Sequence, residues 1–237
     1  MRIMTFNVQH FLDFKKRVID IGLFADKIKA EGADFCGLNE IRGEGPFEGY
    51  TNQTDAIGDA LGFNRYFGKA VMIYGENPYG NAFVTRYPIV SAETFIVPDP
   101  EDRTNGRWFE TRCAIKLVAE TELGRVCFVV CHMGLNDSER INAVKVICDI
   151  IDSTDLPMVV MGDWNDTPDS PILAPIFQRL SDTAELGGAA DGATFPSDAP
   201  NKKIDYILYR GLKCVSCRII TDIVSDHFPI VADFDAE

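Results

Sequence analysis

The sequence predicts an α/β fold of four layers, with two packed, mostly antiparallel β-sheets flanked by helices. Three observations support this. About eleven short runs rich in Val, Ile and Phe are bounded by Gly, Pro or Asp, the punctuation expected of strands. Only four segments carry apolar residues at helical spacing. The strands are apolar almost continuously, which calls for cover on both faces: helices outside, sheet against sheet inside. No repeat, low-complexity run or linker interrupts the 237 residues, so residues 1–237 are expected to form one domain.

The strands are expected at 2–8, 34–40, 66–73, 80–86, 89–97, 111–119, 125–132, 157–163, 204–210, 214–221 and 228–234. A helix is expected over 15–30, where Val18, Ile21, Phe24 and Ile28 recur at helical spacing. A second falls at 52–62. A third spans 138–152, with Asp137 or Ser138 as its cap and Ile141, Val144 and Cys148 facing inward. A short fourth begins at Pro171, because proline suits the first helical position and Ser170 is a good cap.

Composition narrows the function. An apolar fraction of 46% and a mean hydropathy of −0.03 fit a soluble core, while a net charge of −13 opposes generic attraction to long nucleic acid. Phosphate can still be bound locally, by a metal ion or a few placed basic groups. The opening MRIMTFNVQH lacks the pattern of a signal peptide, and no apolar stretch approaches the ~20 residues of a membrane span. The seven cysteines are odd in number and several lie in apolar runs, so buried free thiols and a cytoplasmic location are expected. The pair Cys214 and Cys217 has no second CxxC or His pair to complete a zinc site, and three residues apart on a strand they would face opposite sides.

The strand ends carry the chemistry. VVMGDWNDTPDS, residues 159–170, leaves the core and stops on Asp163 and Asn165. Alternation along a strand would project those two together and turn Trp164 away; a solvated turn is the plain alternative. Other runs behave alike: RIMTFNV reaches Asn7, DFCGLNE ends on Glu40, RVCFVVCH ends on His132, Asp205 opens another strand, and Ser225-Asp226-His227 precede the last. If neighbouring strands alternate in direction, these ends share one rim. A rim with several carboxylates and amides suits Mg²⁺ or Mn²⁺, whereas zinc and copper would want more His or Cys. Such a site supports attack of water on a phosphate ester.

The set NV (7–8), LNE (38–40), GNAFVTRYPI (80–89), CHMG (131–134), GDWNDTPDS (162–170), IDYI (204–207) and SDHFPI (225–230) resembles the endonuclease/exonuclease/phosphatase superfamily. That group includes pancreatic-type DNases, abasic-site endonucleases, inositol polyphosphate 5-phosphatases, neutral sphingomyelinases and deadenylases. The motifs occur in family order across essentially the whole chain. The resemblance implies the DNase-like four-layer sandwich, in agreement with the reading from strands and helices.

It also implies roles. Glu40 and Asp226 would be the metal-side carboxylates, with Asn7 beside both metal and phosphate. Asp163 would orient or deprotonate the attacking water, and Asn165 would hold that water or a phosphate oxygen. His227 would sit on the phosphate with its tautomer fixed by Asp205. His132 resembles the residue some members use to protonate the leaving oxygen. Arg112 and Asn81 match residues near the substrate. Gln9 departs from the Asp that abasic-site endonucleases carry there, which counts against that subfamily.

The expected activity is that of a Mg²⁺- or Mn²⁺-dependent phosphoesterase acting on a small molecule or a nucleic-acid end, without a stable nucleic-acid complex or a membrane span. A nuclease is the alternative, but Arg103, Arg107 and Arg112 make only a small basic patch. A catalytically inactive binding module would have lost ligands, and none is missing. Trp108 is a candidate for a substrate loop.

Overall fold

The computed structural model describes residues 1–104, 108–188 and 191–236; Arg107 lies outside the described residues. The first half runs β1 (Arg2–Asn7), α1 (Ile21–Glu31), β2 (Phe35–Arg42), α2 (Gln53–Leu61), β3 (Asn64–Ile73), β4 (Asn77–Thr85) and β5 (Ile89–Ile96). It continues through β6 (Cys113–Thr121), β7 (Gly124–Cys131), α3 (Asp137–Asp152), β8 (Met158–Asp163) and α4 (Ala174–Phe177). The last strands are β9 (Ser181–Asp182), β10 (Asp205–Arg210), β11 (Lys213–Ile219) and β12 (Ile230–Asp235).

Two six-stranded sheets result, ordered β11-β12-β1-β2-β4-β3 and β5-β6-β7-β8-β10-β9. The β1/β2 and β7/β8 pairs are parallel and the other pairings antiparallel, as the sequence predicts. Between the sheets, Phe35 stacks on Phe128 at 4.2 Å amid Phe83, Met161, Ile207 and Phe234. The alternate residues of each sheet face helices: Val160 and Leu208 pack with Ile147 and Ile151 of α3, and Met4 and Cys36 pack with Phe24 and Ile28 of α1. This two-sided burial is why the strands read as nearly continuous apolar runs. Gly37 keeps the sheets close, since a Cβ there would meet the Met161 sulfur at 2.8 Å.

The helix bounds differ from expectation for local reasons. Residues 15–20 are not helical: Asp20 caps α1 by accepting the Leu23 N–H, Asp13 accepts the N–H groups of Lys15 and Lys16 in a preceding turn, and Val18 is exposed. The third helix is capped by Asn136, with Glu139 closing a capping box, so Ile141 turns to solvent while Ala143, Val144, Ile147 and Cys148 face inward. Pro171 lies in a turn, and the short helix starts at Ala174. The two-residue β9 carries too little pattern to read. A bulge between Cys214 and Ser216 puts Cys214 and Cys217 on the same face, opposite Phe234 and Ala232, against expectation; all seven cysteines are free thiols. Among the described residues, no helix is long and apolar enough to cross a membrane.

Candidate active site

The topology brings the polar strand ends to one rim. Asn7 closes β1 in parallel register with Asn39 of β2, one residue before Glu40. β12 runs antiparallel to β1, with Ile230 opposite Thr5, so the Ser225–His227 segment arrives beyond the same end. In the other sheet Asp163 closes β8 directly opposite Asp205, the first residue of β10. His132 follows β7, which runs parallel to β8.

Two backbone irregularities aim the side chains. Glu40 has φ +64° where the β2/β4 register shifts, so a bulge turns its carboxylate toward Asn7. The strand β8 ends at Asp163, and Asn165 has φ +52°. It therefore reaches the site through a left-handed turn rather than by strand alternation, while Trp164 buries in the helix-side core as expected. Gly162 has φ +139°, and a Cβ there would lie 1.9 Å from the Cys131 carbonyl oxygen, so glycine is required for β7 and β8 to approach at this level.

Hydrogen bonds and close ion pairs join the residues. Asn7 Nδ2 donates to Glu40 Oε1 and to Asp163 Oδ2, each at 3.0 Å. Gln9 donates its backbone N–H to Asn7 Oδ1 at 3.1 Å and its side-chain amide to Asp226 Oδ2 at 3.0 Å. Glu40 and Asp226 are thus linked through two adjacent side chains. Tyr79 donates to Glu40 Oε2 at 3.0 Å, and Ser225 donates to Asp226 Oδ1 at 3.0 Å. His227 Nδ1 lies 2.9 Å from Asp205 Oδ2, and its Nε2 faces Asp163 Oδ2 at 3.6 Å. His132 Nε2 lies 3.4 Å from the same Asp163 oxygen and 3.0 Å from the Asn165 amide.

Both expected substrate contacts are already bound within the protein. Asn81 is one layer back: its Nδ2 donates to the Cys113 carbonyl and its Oδ1 accepts from Asn39 Nδ2, both at 2.9 Å, so its amide has no edge facing the rim. Arg112 reaches the rim but is bound there, with Nη1 2.6 Å from Glu110 Oε1 and 3.2 Å from His132 Nδ1. Trp108 is largely exposed on a loop beside Asn136, which donates to its carbonyl.

Burial sets the electrostatics. Asp163 is pushed up to about 7, chiefly by burial and further by Asp205, while His227 pulls it down. Burial alone would lower His227, but Asp205 and Asp163 outweigh it and raise the imidazole to about 10. The physical content is one proton held on His227 between two carboxylates. His132 is driven well below its ordinary value by burial, by the Arg112 guanidinium and by charged His227. Arg112 Nη1 faces Nδ1 of His132 and Asn165 Nδ2 faces Nε2; both can only donate, so the neutral ring accepts from one of them and turns its N–H to the other side. Asp226 is raised by burial and by Glu40, as expected for two carboxylates sharing one small space.

The sequence pattern of the Endonuclease/Exonuclease/phosphatase family matches residues 4–227. The chain belongs to that family. It is 23% identical to YbhP of Escherichia coli K12 over 98% of this chain and 95% of that protein. Its fold matches an endonuclease/exonuclease/phosphatase from Beutenbergia cavernae with a TM-score of 0.85 at 21% identity, covering 100% of this chain and 71% of the other. A family protein from Leptotrichia buccalis matches with a TM-score of 0.79 at 23% identity over 99% of each chain. Members of the endonuclease/exonuclease/phosphatase family are hydrolases of phosphate esters and generally depend on a divalent metal.

The residues fit such an ion. Asp163, Asp205 and His227 lie within 4.8 Å of one another and could enclose a cation geometrically. With Nδ1 held by Asp205, His227 could offer only Nε2, and there it would have to give up the proton that the flanking Asp163 and Asp205 carboxylates favour. Glu40 and Asp226 suit a cation better. Neither has an ion-pair partner among the described residues, their neighbours Asn7 and Gln9 supply amide oxygens, and Gln9 Oε1 is buried without a hydrogen bond. An all-oxygen donor set of this kind favours Mg²⁺ or Mn²⁺.

Tyr79, Gln9, Glu110 and Asn39 are site residues that the sequence did not reveal. Tyr79 and Glu110 stand only two residues from Asn81 and Arg112, so two-residue spacing, along β4 for the first and in the loop before β6 for the second, was the available signal. Gln9 was visible only as a departure from the family pattern.

Proposed function

We propose that the chain is a divalent-metal-dependent phosphoesterase that hydrolyses a phosphodiester or phosphomonoester by water attack. The observation that carries this reading is the convergence of Asn7, Glu40, Asp163, Asp205, Asp226 and His227 on one rim from five separate segments. Glu40, Asp226 and Asn7 would hold Mg²⁺ or Mn²⁺, which lowers the pKa of water and offsets phosphate charge. Asp163, raised by burial, accepts the proton of the attacking water at near-neutral pH.

Asp205 orients His227, so the imidazolium presents Nε2–H beside Asp163 to a phosphate oxygen or to the leaving oxygen. Asn165 and neutral His132 complete the polar wall and hold the phosphate by hydrogen bonds. The low basic charge supports a small or locally bound ester as substrate. The test is a metal-supplemented screen across phosphodiesters, nucleotides, sugar and inositol phosphates, phospholipids and oligonucleotides. Turnover of one class with Mn²⁺, lost on Asp163→Asn, is expected. No hydrolysis of any class, with metal-loaded and metal-stripped protein melting alike, would leave a non-catalytic binding role.

A further inference from the structure

The charges near Glu40 are unevenly balanced. With 36 acidic and 23 basic residues, an arginine here has carboxylates available, and most of the described arginines are paired with one. Arg210 instead donates to two backbone carbonyls. Arg17 and Arg42 have neither kind of partner among the described residues, and Ile19, two residues after Arg17, packs at the Gly49 position that Arg42 Nη1 lies against.

Arg42 follows Glu40 by two residues and lies with its guanidinium 4.7 Å over the Tyr50 ring; its Nε is buried and unbonded. The fully buried Gln53 side chain ties this strand to the turn after β1: it accepts the Arg42 backbone N–H at 2.9 Å and donates to the His10 carbonyl at 2.8 Å. Arg42 Nη1 lies against Gly49, where a Cβ would come within 2.8 Å of it, and Ile19 packs on the same spot. Arg17 is exposed in the adjoining turn, 5.9 Å over Phe14. After burial, the largest influence holding His10 down is Arg42, with Arg17 adding to it, while Glu40 opposes both. On the other flank Glu110 already neutralises Arg112.

We propose that Arg42 and Arg17, flanking His10, form a subsite for a second phosphate group of the substrate. The proposal rests on the phosphoesterase reading and sharpens it. A stacked guanidinium with free N–H groups suits phosphate oxygens. The Glu110 side disfavours further anionic charge, so the substrate extends its second phosphate in one direction only. That phosphate belongs either to a bisphosphorylated small molecule or to the neighbouring linkage of an oligonucleotide.

The chain has three histidines, so the His10 imidazole can be followed by NMR while inorganic phosphate is added to the full-length protein. A saturable shift of the His10 signal is expected, with half-saturation raised about tenfold or more in Arg42→Gln. Arg42→Lys, which keeps the charge, should fall between the two and serves if the first variant does not fold. A stationary His10 signal, or equal response in wild type and variants, overturns the subsite without touching the phosphoesterase reading, since no turnover is measured.

Where turnover is found, the preference for a bisphosphorylated polyol over its monophosphate, and for a trinucleotide over a dinucleotide, is compared in wild type and Arg42→Gln. Loss of the first preference identifies a small-molecule second phosphate, and loss of the second identifies a neighbouring linkage. Loss of neither overturns the proposal.

Discussion

Asn39→Ala tests the support beneath the site. Asn39 is fully buried; its Oδ1 accepts the Asp163 backbone N–H at 3.0 Å and its Nδ2 donates to Asn81 Oδ1 at 2.9 Å. Asn81 in turn donates to the Cys113 carbonyl, so two amides carry hydrogen bonds across the apolar space from one sheet to the other. Truncation strands the Asp163 N–H and the Asn81 oxygen, at about 1–3 kcal/mol for each buried unsatisfied group, or about 2–6 kcal/mol together. With a urea slope of about 3 kcal/mol/M, the unfolding midpoint should fall by about 0.7–2 M. Because the two amides share a bond, the Asn39→Ala/Asn81→Ala pair should cost less than the sum of the single changes. The control Ile141→Ala, on the exposed face of α3, should stay within about 0.5 kcal/mol. An Asn39→Ala midpoint indistinguishable from this control would refute the cross-sheet role.

Asp163→Asn should keep the fold while lowering kcat by about 10²–10⁴-fold, the usual worth of a general base; comparable turnover would remove it from the mechanism. His10 is held down to about 4, chiefly by burial. Its folded pKa lies below the unfolded value of about 6.5, so the stability it contributes is present above that value and is lost as pH falls toward 4. Calorimetry should therefore show a steeper fall in Tm between pH 6.5 and 4.5 for wild type than for His10→Gln, and parallel curves would contradict it. Thiol modification of the native protein should reach Cys217 first, because it is half-buried while the other six cysteines are buried; rapid labelling of Cys36 or Cys131, whose thiols burial pushes up, would contradict the packing.

Much of the site was legible because strand ends are marked twice, by an apolar run and by the polar residue that stops it. Asn7, His132, Asp163 and Asp205 stand within a residue of a strand terminus and Glu40 within two; the parallel pairs β1/β2 and β7/β8 bring exits together, and the antiparallel β8/β10 pair adds Asp205. The sheets were legible for a related reason: strands buried on both faces read as plain apolar runs.

Backbone geometry departing from regular repeats was not legible. The bulge that turns Glu40, the left-handed Asn165 and the bulge between Cys214 and Ser216 each break a two-residue period by a single residue. Helix starts misled where a capping side chain outranked apolar spacing, as Asp20 does for α1. Tyr79 and Asn39 meet their partners across strands distant in sequence, whereas Glu110 pairs with Arg112 two residues on, where only the spacing announces it.

Mn²⁺ titration of chelator-stripped protein, followed by electron paramagnetic resonance, most directly tests whether the convergent carboxylates hold the ion. Wild type should bind, Glu40→Gln and Asp226→Asn should each weaken binding by about tenfold or more, and Asp205→Asn, away from the proposed ligands, should bind nearly as wild type does. Loss of binding in Asp205→Asn with retention in Glu40→Gln and Asp226→Asn would place the cation in the Asp163–Asp205–His227 cluster and overturn the assignment of roles.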